Sequence, residues 1–178
     1  RYNVVTRGLK WCKVGRRSSG VPTPFKGEEE QMFLGQYRHT IDDKGRLTVP
    51  ARFRELLEDG AYITQGFERN LMVLTSPGFE AMTHQVNRSS ITDPTARALK
   101  RLLFATADRV APDKNGRILI PQFLRERNQL DGEAVLVGVG DYFEIWTPEA
   151  WDQQLDLLQD TEANEQRFIG LDLSTSYE

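Results

Sequence analysis

From Phe33 onward, apolar and polar residues alternate in short runs of the kind that form strands. Phe33-Leu34-Gly35-Gln36-Tyr37 is followed by Thr40-Ile41, four turn residues from Asp42 to Gly45, and Arg46 to Val49 as a return strand. Pro50 opens a short helix whose Phe53, Leu56 and Leu57 share one face and which Gly60 ends. Tyr62 to Thr64 and Leu71 to Leu74 predict a hairpin around Gly66 and Asn70, and Ser76-Pro77 predicts the cap of a helix with Phe79, Met82 and Val86 turned inward. Another helix starts at Asp93-Pro94, with Ala96, Leu99, Lys100, Leu103 and Ala107 at helical spacing. The plan then recurs: strand and turn through Ile120, a helix from Pro121 bearing Phe123 and Leu124 as far as Gly132, and a hairpin around Gly138, Gly140 and Asp141. Thr147-Pro148 caps a last helix carrying Trp151, Leu155 and Leu158, and the residues after Glu162, which show no pattern, are expected to fray.

The recurrence extends to individual residues. Asp42-Asp43-Lys44-Gly45-Arg46-Leu47-Thr48-Val49-Pro50 returns 71 residues later as Asp113-Lys114-Asn115-Gly116-Arg117-Ile118-Leu119-Ile120-Pro121. Ile63-Thr64-Gln65-Gly66 matches Val135-Leu136-Val137-Gly138, and Val73-Leu74-Thr75 matches Ile145-Trp146-Thr147, both at an offset of 72. Strand, turn, helix and hairpin in the same order define a duplicated unit. At about 70 residues such a unit is near the lower limit for a core of its own, so two halves sharing one core are expected.

Composition and charge narrow the partners. No apolar run approaches the roughly 20 residues of a membrane span, so no membrane partner is expected. The single cysteine, Cys12, offers neither an internal disulfide nor a metal cluster, as expected of an intracellular chain. Net charge is −3, unevenly distributed: residues 1–31 carry seven Lys/Arg against three Glu, leaving residues 32–178 at −7. A site for phosphate would have to be a local concentration of Arg and Lys on an acidic body. Residues 1–31 lack periodicity and are expected to be a disordered leader. They are either an extension preceding a natural start at Met32 or a basic arm.

Candidate chemistry is sparse except at the repeated turn. Neither His39 nor His84 has a recognisable nucleophile or carboxylate partner, and metal-binding and phosphate-loop motifs are lacking, so neither catalysis nor a cofactor is expected. His39 is expected on a strand face, His84 on the outside of a helix, and Trp146 and Trp151 in the core. In Asp-x-x-Gly-Arg, the Asp accepts backbone N–H groups and the Gly takes a left-handed conformation, which a turn alone explains. It explains the Arg less well. Lys44 and Arg46, with Arg38 and Arg52 near in sequence, form one candidate cationic patch, and Lys114 and Arg117 its counterpart. Arginine's planar fork suits both phosphate oxygens and the guanine edge. Leu99, Leu102, Leu103 and Phe104 give the middle helix more apolar surface than one small half can bury, which points to a partner surface.

These residues carry a resemblance to a family. Met32-Phe33-Leu34-Gly35, the Asp42 to Arg54 segment, the Asp113 to Pro121 copy, Val135 to Gly138 and Phe143 to Trp146 resemble the MraZ family of bacterial transcriptional regulators, over Met32 to about Leu158. The resemblance implies an α+β, β-rich fold: two tandem AbrB-like swapped-hairpin β-barrel repeats with flanking helices, related by a pseudo-twofold within one chain. It divides the chain into the extension at 1–31, a first repeat with its connecting helices at 32–107, a second repeat with its C-terminal helix at 108–160, and a tail at 161–178. It further implies a cytoplasmic, nucleoid-associated repressor without enzymatic activity. Such a protein forms a ring of several subunits on direct repeats in the promoter of its own division and cell-wall gene cluster. On that analogy Arg46 is the principal contact to double-stranded DNA, with Lys44 beside it and Arg117 and Lys114 from the second half, while Asp42, Gly45, Asp113 and Gly116 shape the turns. Because Asn115 stands where the first turn has Lys44, the second patch is expected to bind more weakly. The alternatives are an antitoxin-like or scaffold protein-interaction module, and an enzyme on a related double-psi barrel, for which no candidate residues are found.

Overall fold

Gly, Pro or Asn stops each apolar run within a few residues, so the strands are short and depend on partners beyond their own hairpins. The computed structural model describes residues 32–171 of this chain, so the expectations for residues 1–31 and for the last seven residues lie outside the described part. The first repeat runs β1 (Gln36–Thr40), β2 (Arg46–Thr48), α1 (Ala51–Leu56), β3 (Ala61–Gln65), β4 (Asn70–Thr75), α2 (Ser76–Asn87) and α3 (Pro94–Phe104). The second runs β5 (Asp108–Val110), β6 (Arg117–Leu119), α4 (Gln122–Arg127), β7 (Glu133–Gly138), β8 (Tyr142–Trp146), α5 (Pro148–Gln159) and α6 (Thr161–Phe168).

The pairing exchanges strands between the repeats. A six-stranded antiparallel sheet has the order β1-β7-β8-β4-β3-β5, and β2 and β6 form a separate two-stranded ribbon. Each repeat therefore contributes its own hairpin, β3–β4 or β7–β8, but its first strand lies on the hairpin of the other repeat: β1 on β7 and β5 on β3. Arg46 to Thr48 form a strand as expected, yet not as the return of β1. Apart from an isolated bridge between Ile41 and Leu47, β2 pairs with β6. Two registers locate the pseudo-twofold axis: Met72 faces its counterpart Glu144 across β4 and β8, and Leu47 faces its counterpart Ile118 across β2 and β6.

One core fills the space between sheet and ribbon and draws on both repeats. Leu47, Val49, Phe53, Leu57, Ile63 and Leu71 from the first meet Ile118, Ile120, Leu124, Leu136, Phe143 and Ile145 from the second, all essentially inaccessible. Phe53 is at its centre, with ring centroids 5.1 Å from Phe33, 5.3 Å from Tyr37 and 5.2 Å from Phe143. Trp146 of β8 and Trp151 of α5 are buried together, as expected of core residues, and Trp151 Nε1 donates to Gln36 Oε1 at 3.0 Å.

Several boundaries differ from the sequence reading. Thr75, not Ser76, caps α2, its hydroxyl accepting from Gly78 N–H. Helix α3 stops at Phe104 instead of reaching Ala107, because Thr106 turns inward to share a buried hydrogen-bond set with Thr64. Of the α3 apolar residues Ala96 and Leu103 are buried, while Leu99, Leu102 and Phe104 are half-buried. Of the two apolar residues of α4, Phe123 is exposed and Leu124 alone faces the core. The stretch expected to fray forms α6, capped by Asp160, although it buries no residue. His84 is exposed on α2, as expected.

Candidate nucleic-acid interface

An aspartate that must satisfy the N–H groups of a tight turn uses one carboxylate oxygen on the backbone and keeps the other for a cation. Both copies of the turn do this. Asp42 Oδ1 accepts from Lys44 N at 3.0 Å and Arg46 N at 2.9 Å, while Oδ2 accepts from Arg46 Nε at 2.8 Å and lies 2.6 Å from Nη2. Asp113 Oδ1 accepts from Asn115 N and Arg117 N, both at 2.9 Å, and Oδ2 accepts from Arg117 Nε at 3.0 Å and Nη2 at 2.7 Å. Gly45 and Gly116 turn the chain at φ of +77° and +71°, where a side chain would be strained.

The swapped ribbon brings the two turns together on the pseudo-twofold. Ile120 N–H donates to Gly45 O and Val49 N–H to Gly116 O, both at 2.9 Å, so each turn is tied to the opposite repeat. Arg117 Nη1 also reaches Asp42 Oδ2 at 3.5 Å, which links the two ion pairs into one cluster of two carboxylates and two guanidinium groups. The hydrogen bond from the Arg46 side chain, joined by backbone N–H bonds, holds the Asp42 carboxyl down at about 2, and Arg117 does the same for Asp113, also at about 2. Reciprocally, the hydrogen bond to Asp113 raises Arg117 above the ordinary arginine value.

The sequence-predicted residues fall into three groups. Arg46 and Arg117 are present at the turns but half-buried and braced by their aspartates, so the four-group cluster carries no net charge. Lys44 and Lys114 are exposed at the turn tips, and among the described residues neither has a carboxylate within ion-pair distance. Arg38 lies in β1, and its Nη2 donates to Asp152 of α5 at 3.1 Å instead of serving either turn. Arg52 is exposed on α1. Arg54 and Arg125, which the sequence reading did not single out, pack against Gly116 and Gly45 respectively. Their signal was present, since they occupy matching positions at the 71-residue offset.

Among the described residues no cluster of His, Cys, Asp or Glu is arranged to hold a metal ion, and no helix is long and apolar enough to cross a membrane. The exchanged first strands, the ribbon on the dyad and the paired Asp-braced turns together define a tandem swapped-hairpin protein of the AbrB-like kind. The family model for MraZ protein, whose description also raises an antitoxin-like character, matches residues 32–102 and again 103–171. The chain belongs to the MraZ family. A relative from Roseiflexus castenholzii, named transcriptional regulator MraZ, is 47% identical over 127 residues, covering 71% of this chain and 89% of the relative. Proteins of the same name from Herpetosiphon aurantiacus and Desulfitobacterium hafniense are 43% identical over 129 residues and 46% identical over 120, covering 72% and 67% of this chain and 90% and 84% of the relatives.

Proposed function

We propose that the chain is a transcription regulator, without enzymatic activity, that binds double-stranded DNA through the paired turns at Asp42–Arg46 and Asp113–Arg117. The observation that carries this reading is the duplication of one Asp-braced arginine turn across a pseudo-twofold, with an exposed lysine at each tip. The relatives' name, transcriptional regulator, supports the regulator part of this reading. In this reading Asp42 and Asp113 do not touch the acceptor-rich DNA. They hold the Nε and Nη2 edge of each arginine, leaving the Nη1 edge of Arg46 to be presented in a fixed orientation. A preoriented guanidinium discriminates between bases at small entropic cost, and a good bidentate contact to guanine is worth about 1–3 kcal/mol. Lys44 and Lys114 supply attraction to the backbone. The second turn is the weaker one, since Arg117 already divides itself between two carboxylates.

The acidic balance of residues 32–178 limits what one copy achieves. Several copies on successive DNA repeats would raise the effective concentration of each site. The finer reading is therefore a homo-oligomeric ring on direct repeats in the promoter of the division and cell-wall gene cluster, acting as a repressor in the cytoplasm at the nucleoid. The test is an anisotropy titration of the full chain against its own upstream DNA and a scrambled duplex, with Arg46→Ala alongside. The expected result is preferential binding by the wild type, with the preference lost in a folded Arg46→Ala. Equal, negligible binding of both duplexes by a folded wild-type oligomer would refute the reading and turn attention to a protein partner.

A further inference from the structure

Each turn is covered by an arginine from the opposite repeat. A methyl group placed on Gly45 would lie 2.6 Å from Arg125 Nε and 2.9 Å from its Nη2, so the guanidinium of α4 rests against the first turn. Arg54 of α1 covers Gly116 in the same way and still more closely. Among the described residues both arginines are anchored through Nε alone, Arg54 to Val49 O at 2.7 Å and Arg125 to Ile120 O at 3.3 Å. Val49 and Ile120 are also the residues whose N–H groups hold Gly116 O and Gly45 O. One residue at the exit of each ribbon strand thus fixes both the opposite turn and the arginine that covers it.

The charge distribution separates these arginines from Arg46 and Arg117. The latter two are neutralised by Asp42 and Asp113. Among the described residues, Arg54 and Arg125 meet no carboxylate within ion-pair distance, and their Nη groups make no hydrogen bond, so the Nη donors stand unspent beside the turns. Both side chains are only half-buried. The uncompensated charge of Arg54 is felt locally: together with burial, the larger cause, it holds His39 below the ordinary imidazole range. Glu55, Glu58 and Asp113 line the same hollow as Arg54 and Lys114, and none of the three pairs with Arg54 or Lys114, so an incoming anion would be met by donors only on the Arg54 and Lys114 side.

We propose that Arg54 and Arg125 are backbone-phosphate donors of the interface, each serving the turn of the opposite repeat. This inference rests on the DNA-binding reading above and deepens it. Arg46 and Arg117 distinguish sequences at little net charge, while Arg54, Arg125, Lys44 and Lys114 supply the salt-dependent, sequence-independent attraction. Swapping makes the two repeats interdependent, because the phosphate beside the first turn is held from α4 and the phosphate beside the second from α1.

The test is a salt series of anisotropy titrations with the full chain, on upstream and scrambled duplexes. Each phosphate contact contributes about 0.9 to the slope of log affinity against log salt. The double variant Arg54→Gln/Arg125→Gln is expected to lose about 1.8 of that slope per bound chain on both duplexes. Between 50 and 200 mM salt each lost contact then corresponds to about 3.5-fold less weakening. Arg54→Lys/Arg125→Lys retains the slope, because charge is kept, with affinity reduced by loss of the planar fork. A glycine-covering role alone would leave the slope of the glutamine variant at the wild-type value, and that result overturns the inference. Should the glutamine variant fail to fold, phenylglyoxal labelling of the wild type decides: DNA is expected to protect Arg54 and Arg125, and undiminished labelling overturns the proposal. Absence of DNA binding by the wild type would overturn this inference and the parent reading together, whereas binding with Arg46-dependent preference and an unchanged glutamine slope would overturn this inference alone.

Discussion

Phe53→Ala tests whether the two repeats are one cooperative unit. Phe53 belongs to α1 of the first repeat, is 1% exposed, and packs its ring on Phe143 of the second. Truncating a buried phenylalanine costs about 3–5 kcal/mol, through lost transfer energy and the cavity left behind. Its aromatic neighbours at 5.1–5.3 Å place this site in the upper half of that range, since each such pair adds roughly 0.5–1.5 kcal/mol. For about 4 kcal/mol, and about 3 °C per kcal/mol in a domain of this size, the midpoint falls by about 12 °C. Two probes report on it. In a Trp11→Phe background, fluorescence comes only from Trp146 and Trp151, both in the second repeat, whereas far-UV circular dichroism reports on both repeats. A shared core requires the two signals to move together by the full amount. A tryptophan transition that stays at the wild-type midpoint while the dichroism shifts would refute the shared core.

Other consequences are open to measurement. Because Asp42 and Asp113 titrate at about 2 in the folded chain against an ordinary 3.8, their contribution to stability is complete above about pH 4 and is lost as pH falls through 2. The melting temperature of the wild type should thus drop more steeply between pH 4 and 2 than that of Asp42→Asn/Asp113→Asn, and equal slopes would contradict the ion-pair assignment. Gln65 and Asn128 exchange reciprocal amide hydrogen bonds of 3.0 and 2.9 Å across the repeats, both nearly inaccessible. Asn128→Leu should cost about 1–3 kcal/mol by leaving Gln65 Oε1 without its donor, although Gln65 Nε2 keeps its bond to Asn70 O at 3.0 Å, and adding Gln65→Leu should recover part of it. Urea denaturation of the four-member cycle reads the coupling, and simple additivity would show that the pair is not coupled.

What the sequence revealed was local. The 71-residue echo, the Asp and Gly of each turn and the Pro-initiated helices are decided within a few residues, and the structure places them near where periodicity predicts. Strand exchange is decided elsewhere. Tyr37 faces Leu136 and Ile63 faces Asp108, pairings that no hydrophobic period encodes, and only the family resemblance anticipated them. Helix α6 escaped notice because it has no apolar face to bury, its only signals being the Asp160 cap and Glu162 in the first turn. The offset change from 71 to 72 has a visible cause after α4, where Gln129 adopts φ of 55° on the way to Leu130 and Gly132, an added residue absent between Leu57 and Gly60. At the site, the Arg54 and Arg125 covers were legible only as a recurrence. Their function depends on which repeat they reach, and swapping alone determines that.

The central claim is that DNA lies against the paired turns, and the chain's own lysines test it most directly. Beyond residue 31 there are three: Lys44 and Lys114 at the turns, and Lys100 on α3, whose Nζ donates to Ser89 O at 3.3 Å. Acetylation of the full chain with and without its upstream DNA, read peptide by peptide, should show Lys44 and Lys114 protected while Lys100 keeps its reactivity. Protection of Lys100 with Lys44 and Lys114 unchanged would place the DNA on another face and contradict the account.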